Sequence, residues 1–205
     1  MSTTHGASND TVNSQTETSP QLATNLPSTT TYLTGHNDEG QAIVYSARPA
    51  SYKVFDGGNM GFNQIYTNLF PADLNENADV KFHDEVMASG NLGLATKGGI
   101  VCRMVDFAPQ YRCMMHRTKS LDFGIVVEGE VEMLLDDGSI TTMKRGDVAL
   151  QRATIHSWHN LSRSNWARMI FFLQDIVPLV VNGKKLGEDY GKGTEGLPPS
   201  GNDDD

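Results

Sequence analysis

From Gly99 to Leu173 the chain is a run of short strand-like segments separated by turn signals, with no helical periodicity between them. A chain of that kind folds as an all-β sandwich or barrel, because strands recurring about every 8–12 residues bury their alternate faces against one another. The segments are Gly99–Phe107 and residues 111–118, 121–127, 131–135, 139–143, 148–150, 154–160 and 166–173. Asp136-Asp137-Gly138 separates two of them and is a strong hairpin signal; Lys144-Arg145-Gly146-Asp147 marks another turn. Upstream, residues 41–47 and 61–70 read as strands, and 73–90 as a polar excursion with a helical turn.

At 205 residues the chain is long enough for one domain with a substantial core plus tails. Residues 1–31 are rich in Ser, Thr, Asn and Gln and contain no aromatic residue, Lys or Arg, so they are expected to be disordered. Residues 183–205, closing in Asp203-Asp204-Asp205, are expected to behave likewise, which leaves 32–182 as the domain. The net charge of -9 and the lack of a basic cluster argue against nucleic-acid partners. No apolar run approaches the roughly 18 residues of a membrane span, and no secretory or transit signature is present, so the expected location is the cytoplasm. Cys102 and Cys113 then read as reduced, partly buried thiols.

Between residues 110 and 175 two spacings stand out: H-x-T-x3-D-x6-G from His116 through Thr118 and Asp122 to Gly129, and G-x9-H-x3-N from Gly146 through His156 to Asn160. Side chains two apart on a strand share a face, so His116 and Thr118 point together, as do Thr154, His156 and Trp158. A turn at Lys119-Ser120 brings Asp122 back toward the same interior. Two imidazoles and one carboxylate are the donor set of a facial metal triad, suited to Fe, Mn, Ni, Zn or Co. The expected metal and catalytic residues are therefore His116, Asp122 and His156, with Asp122 reaching the ion directly or through a water. The bland alternative is a pair of satisfied barrel histidines.

Thr118, Trp158 and Arg112 are the pocket candidates. Trp158 offers an aromatic wall for a planar ligand. Arg112 shares the parity of His116 and is either an inward carboxylate clamp or a solvated barrel-end residue. Arg117, Lys119 and Arg152 are expected at barrel ends or outside, and His159 facing outward. Glu128, Glu130 and Glu132 are expected on a solvated face, and Asn160 bonding backbone at a strand end. There is no G-x-G-x-x-G after a strand and no P-loop, so no nucleotide cofactor is expected.

The two spacings resemble the signature motifs of the cupin superfamily, small jelly-roll barrels whose mouth usually holds one metal ion. Thr118 stands where that pattern has a second His, and Asp122 where it has Glu. The blocks 115–122, 126–131, 144–148, 151–158 and 166–169 resemble more narrowly the fungal single-domain cupin oxidoreductases of polyketide, salicylaldehyde-type, secondary-metabolite pathways. The resemblance covers roughly residues 32–175 and implies an all-β cupin barrel, a homodimer, and a small hydrophobic, oxygen-rich substrate. It implies an oxidoreductase tailoring that substrate at a divalent metal. Lyase chemistry (dehydration, decarboxylation or aromatisation) on the same class of substrate, or a cupin that binds a small molecule without turnover, are the alternatives.

Overall fold

The computed structural model describes residues 22–191 and 196–203. The chain runs through β1 (Thr30–His36), β2 (Ala42–Pro49), β3 (Tyr52–Phe55) and β4 (Met60–Leu69) into one helix, α1 (Ala78–Ser89). Then come β5 (Gly99–Phe107), β6 (Ser120–Glu128), β7 (Glu130–Leu135), β8 (Ile140–Lys144), β9 (Val148–Arg152), β10 (His156–Asn160) and β11 (Ala167–Asp175). A small terminal hairpin, β12 (Leu179–Val181) and β13 (Lys184–Leu186), follows. The strands make a six-stranded sheet in the order β3-β4-β5-β11-β6-β9 and a three-stranded sheet β10-β7-β8; β1-β2 and β12-β13 stand as separate hairpins. This is the all-β, two-sheet architecture that the strand pattern predicts.

Residues 111–117 form no continuous strand but dock on β10 through isolated pairings of Arg112 with His159 and His116 with His156. His116 and His156 exchange both backbone hydrogen bonds at 2.9 Å. This one pairing decides the site, because it sets the two histidines directly opposite each other across the ladder.

The core lies between the two sheets. Val101, Val105 and Phe107 of β5, Met169, Phe171 and Leu173 of the adjacent β11 and Val126 of β6 come from the six-stranded sheet, and Val131, Met143 and Trp158 from the three-stranded one. Every second residue of β5 is buried, the alternation that one packed face imposes. The motif glycines are backbone requirements. Gly129 joins β6 to β7 at φ 83°, and a Cβ there would stand 3.1 Å from that of Ala167. Gly146 adopts φ 91° while its N–H donates to the Val126 carbonyl. Neither conformation suits a residue with a side chain.

Both ends of the domain are larger than composition suggested. The expected disorder of residues 1–21 lies outside the described residues, but 22–31 are packed. Leu22 is buried against Trp166 and Ala108, and Asn25 Oδ1 accepts the Trp166 N–H. The Arg168 guanidinium holds this segment: it grips Asp106 with Nε at 2.6 Å and Nη2 at 2.7 Å while Nη1 donates to the Pro27 carbonyl at 2.8 Å. At the far end, residues 187–203, where described, cross the barrel mouth as a strap. Arg117 and Asp189 exchange backbone hydrogen bonds, and the Asn202 amide donates to the Lys119 carbonyl and to Asp175. Lys119, expected at a barrel end or on the outside, is buried beneath that strap with its ammonium donating to the Asn202 carbonyl. These segments are held by specific hydrogen bonds together with a few apolar anchors such as Leu22 and Leu197, so low overall hydrophobicity did not predict their order. Among the described residues, no helix is long and apolar enough to cross a membrane.

Candidate functional site

His116, His156, Asp122 and Trp158 line one cavity inside the barrel, together with Arg103 and apolar side chains including Met60, Phe107 and Phe171. The cavity encloses about 70 Å³, room for a small group rather than a whole drug-sized ligand. The two imidazole rings lie 4.4 Å apart between centroids, tilted at 49°, and the edge of His156 meets Trp158 at 5.5 Å.

Each histidine is oriented by its own stretch of backbone. His116 Nδ1 lies 3.0 Å from the Met114 carbonyl and His156 Nδ1 lies 3.0 Å from the Thr154 carbonyl. A carbonyl oxygen only accepts, so both Nδ1 atoms carry the proton and both Nε2 atoms keep a lone pair when the rings are neutral. Burial lowers the pKa of His116. Burial, and secondarily the charge of His116, takes that of His156 down to about 3. The pair is therefore neutral at physiological pH, offering two acceptors side by side.

Asp122 sits on β6 beside them, and its two oxygens are already engaged. Thr118 Oγ1 donates to Oδ2 at 2.9 Å and Ser120 Oγ donates to Oδ1 at 2.5 Å. Burial pushes the Asp122 carboxyl up to about 6 even though both hydroxyls and the nearby Arg103 charge favour the anion. Thr118 is fully buried and acts on Asp122 rather than on the cavity.

The expected metal triad fares differently from its members. Among the described residues, no three His, Cys, Asp or Glu side chains are grouped so that they could hold a metal ion. The histidines have the Nδ1-to-carbonyl support typical of metal ligands. The carboxylate is turned to the hydroxyls of Thr118 and Ser120, so the three donors do not form the facial set.

Arg112 is exposed and pairs with His159 on the outer course of the ladder, because the backbone between Arg112 and His116 breaks strand regularity and with it the parity argument. His159 faces away from the cavity and pairs with Glu132 at 3.0 Å, so Glu132 is not simply solvated. Asn160 donates to the Phe107, Ala108 and Asn165 carbonyls, the backbone task expected of it.

The residue that sequence reasoning missed is Arg103. It lies on the buried parity of β5, among Val101, Val105 and Phe107, and is 3% exposed. A lone Arg on an otherwise apolar strand face was the available signal. Its Nη2 donates to the carbonyls of Gly93 at 2.5 Å and Leu94 at 3.0 Å, and the guanidinium lies over the Phe62 ring, 5.1 Å from its centroid.

No protein-family model matches the chain. It is 35% identical over 191 residues to phomopsin biosynthesis cluster protein C' of Diaporthe leptostromiformis, covering 92% of this chain and 98% of the relative. It is 38% identical over 164 residues to the cupin-domain-containing oxidoreductase virC of Hypocrea virens, covering 78% of this chain and 82% of the relative. The polyketide cyclase RemF from Streptomyces resistomycificus superposes with a TM-score of 0.43 at 11% identity, over 71% of this chain and 82% of that one. With such sequence relatives along most of its length and the barrel around paired motif histidines, the chain belongs to the family of cupin-domain-containing oxidoreductases of fungal biosynthesis clusters.

Proposed function

We propose that this enzyme tailors a small, oxygen-rich, polyketide-type intermediate, and that its reaction begins with proton transfer inside the His116–His156 cavity. The observation that carries the reading is the convergence of two neutral imidazoles and one burial-tuned carboxylate on a single apolar chamber. The relatives named as biosynthesis-cluster proteins support the setting.

In this scheme the Nε2 atoms of His116 and His156 accept hydrogen bonds from substrate hydroxyl groups and fix the substrate's orientation. Asp122 is the proton acceptor, since a carboxyl raised to about 6 combines the ionised form at neutral pH with useful basicity. It removes a proton from the carbon next to a carbonyl. The C–H electron pair moves into the carbonyl and an enolate forms; nothing is oxidised or reduced in that step. The same enolate is what an oxidant attacks or what expels a β-hydroxyl group, so the step serves both oxidation and dehydration. Thr118 and Ser120 hold the carboxylate at a fixed angle, and the apolar walls keep bulk water away from the enolate.

The test is metabolite profiling of the producing fungus with the chain deleted and then complemented. Wild type is expected to restore the lost product, whereas Asp122→Asn and His156→Ala are expected to accumulate its precursor. Full restoration by either variant overturns the reading.

A further inference from the structure

Arg103 is a buried cation with unfinished bonding. Its Nε is buried and has no hydrogen-bond partner. Among the described residues no carboxylate forms an ion pair with it: the cavity's single acidic lining residue, Asp122, is held by Thr118 and Ser120 instead. A buried guanidinium normally finds a carboxylate, because desolvating the charge costs several kcal/mol unless an anion or full hydrogen bonding offsets it. Here two backbone carbonyls fix the group in place without neutralising it.

The position of Arg103 tells what is missing. A second, outer groove of about 590 Å³ lies beside the inner chamber, and Phe62, Arg103 and Leu197 line both. The inner chamber is almost wholly apolar and takes only a small group. The outer groove is rimmed by Arg48, Lys53, Asn63 and Gln64, and among the described residues no Asp or Glu lines it. Arg48 spends its charge on Asp84 and Lys53 donates to the Gly196 carbonyl. Lys53 is exposed to solvent, so Arg103 is the buried cation of the groove that has no ion-pair partner among the described residues.

We infer that this site takes a carboxylate-bearing substrate, whose carboxylate is bound by Arg103 at the junction of the two compartments. The reactive carbon end then occupies the inner chamber beside His116 and His156, and the remainder lies in the outer groove. A planar fork of donors suits a carboxylate, and the apolar surroundings strengthen the pairing. The inference deepens the proposed function, since it names the substrate class of the same cavity, but it rests on different residues.

Calorimetric titration with benzoate and with neutral benzamide, of nearly the same shape, tests it. Wild type is expected to bind benzoate at least about tenfold more tightly than benzamide, one charge-assisted contact being worth about 1.5–3 kcal/mol. Arg103→Met is expected to lose that preference and Arg103→Lys to keep part of it, each shown to be folded by circular dichroism. Should Arg103→Met fail to fold, Leu197→Trp, which narrows the junction from the strap, is expected to weaken benzoate binding by a similar factor. Equal affinity for the two probes in wild type, or unchanged benzoate binding in folded Arg103→Met, overturns the inference. His156→Ala separates the two proposals. It is expected to bind benzoate with the wild-type preference while failing to restore the metabolite. A His156→Ala protein that restores it but still prefers benzoate through Arg103 sinks the proton-transfer scheme alone.

Discussion

His116 and His156 are opposite partners in one antiparallel pairing, with rings 4.4 Å apart, and each is oriented by the backbone carbonyl two residues before it. The arrangement makes them a matched pair of acceptors and, through mutual burial, a pair that stays uncharged.

The neutrality of His156 has a stability consequence. Its folded pKa, about 3, lies below the ordinary 6.5, so its contribution is present above pH 6.5 and is lost as pH falls toward 3. Wild-type Tm is expected to drop between pH 6.5 and 4, and His156→Ala to show a shallower drop in the same window. Parallel Tm-against-pH curves for the two proteins would contradict this.

Asp122 has the opposite sign. Its folded pKa is raised from 3.8 to about 6, so its favourable contribution exists below pH 3.8 and is lost as pH rises through 6. Asp122→Asn is expected to be more stable than wild type at pH 7.5 by about 1–3 kcal/mol, at about 1.4 kcal/mol per tenfold change in proton affinity, and to lose that advantage at pH 4. Urea unfolding at the two pH values measures it. A variant less stable than wild type at pH 7.5 would show that its hydrogen bonds outweigh the buried charge.

Metal uptake distinguishes the histidines from the carboxylate. In equilibrium dialysis against Zn²⁺ or Ni²⁺, His116→Ala and His156→Ala are expected to lower uptake, whereas Asp122→Asn leaves it unchanged because the Asp122 oxygens face Thr118 and Ser120. Loss of uptake in Asp122→Asn would restore the facial triad.

The buried pair of Arg168 and Asp106 ties the N-terminal segment to the barrel. Replacing Asp106 with Ala leaves the guanidinium buried without its partner and is expected to cost about 3–5 kcal/mol. Limited proteolysis should then cut near residues 22–29 in the variant and spare them in wild type.

Gly99 is close-packed rather than merely flexible. A Cβ there would stand 2.2 Å from the Asn68 carbonyl oxygen on β4, a backbone atom that moves only with its strand. Gly99→Ala is expected to lower stability by about 1–3 kcal/mol in urea unfolding; a neutral effect would mean that the β4–β5 edge is loose.

The sequence by itself determined the barrel. Strand spacing, the Asp-Gly hairpin and the motif glycines are local requirements of backbone geometry, and each falls where the structure needs it. Residues Gly99–Phe107 are β5 without any adjustment, and the parity of His156 and Trp158 on one strand puts both into the cavity. Parity holds only while a strand is regular, so it failed for Arg112, in a segment that touches its neighbour at isolated points. Composition likewise missed the N-terminal segment and the C-terminal strap, whose order comes from hydrogen bonds to distant residues such as Arg168 and Lys119. Which way a carboxylate turns is a contest among its neighbours. Only the tertiary structure could decide that both Asp122 oxygens are bonded by hydroxyls, and that Arg103, a charge on an apolar strand, is left in the cavity with its Nε unpartnered.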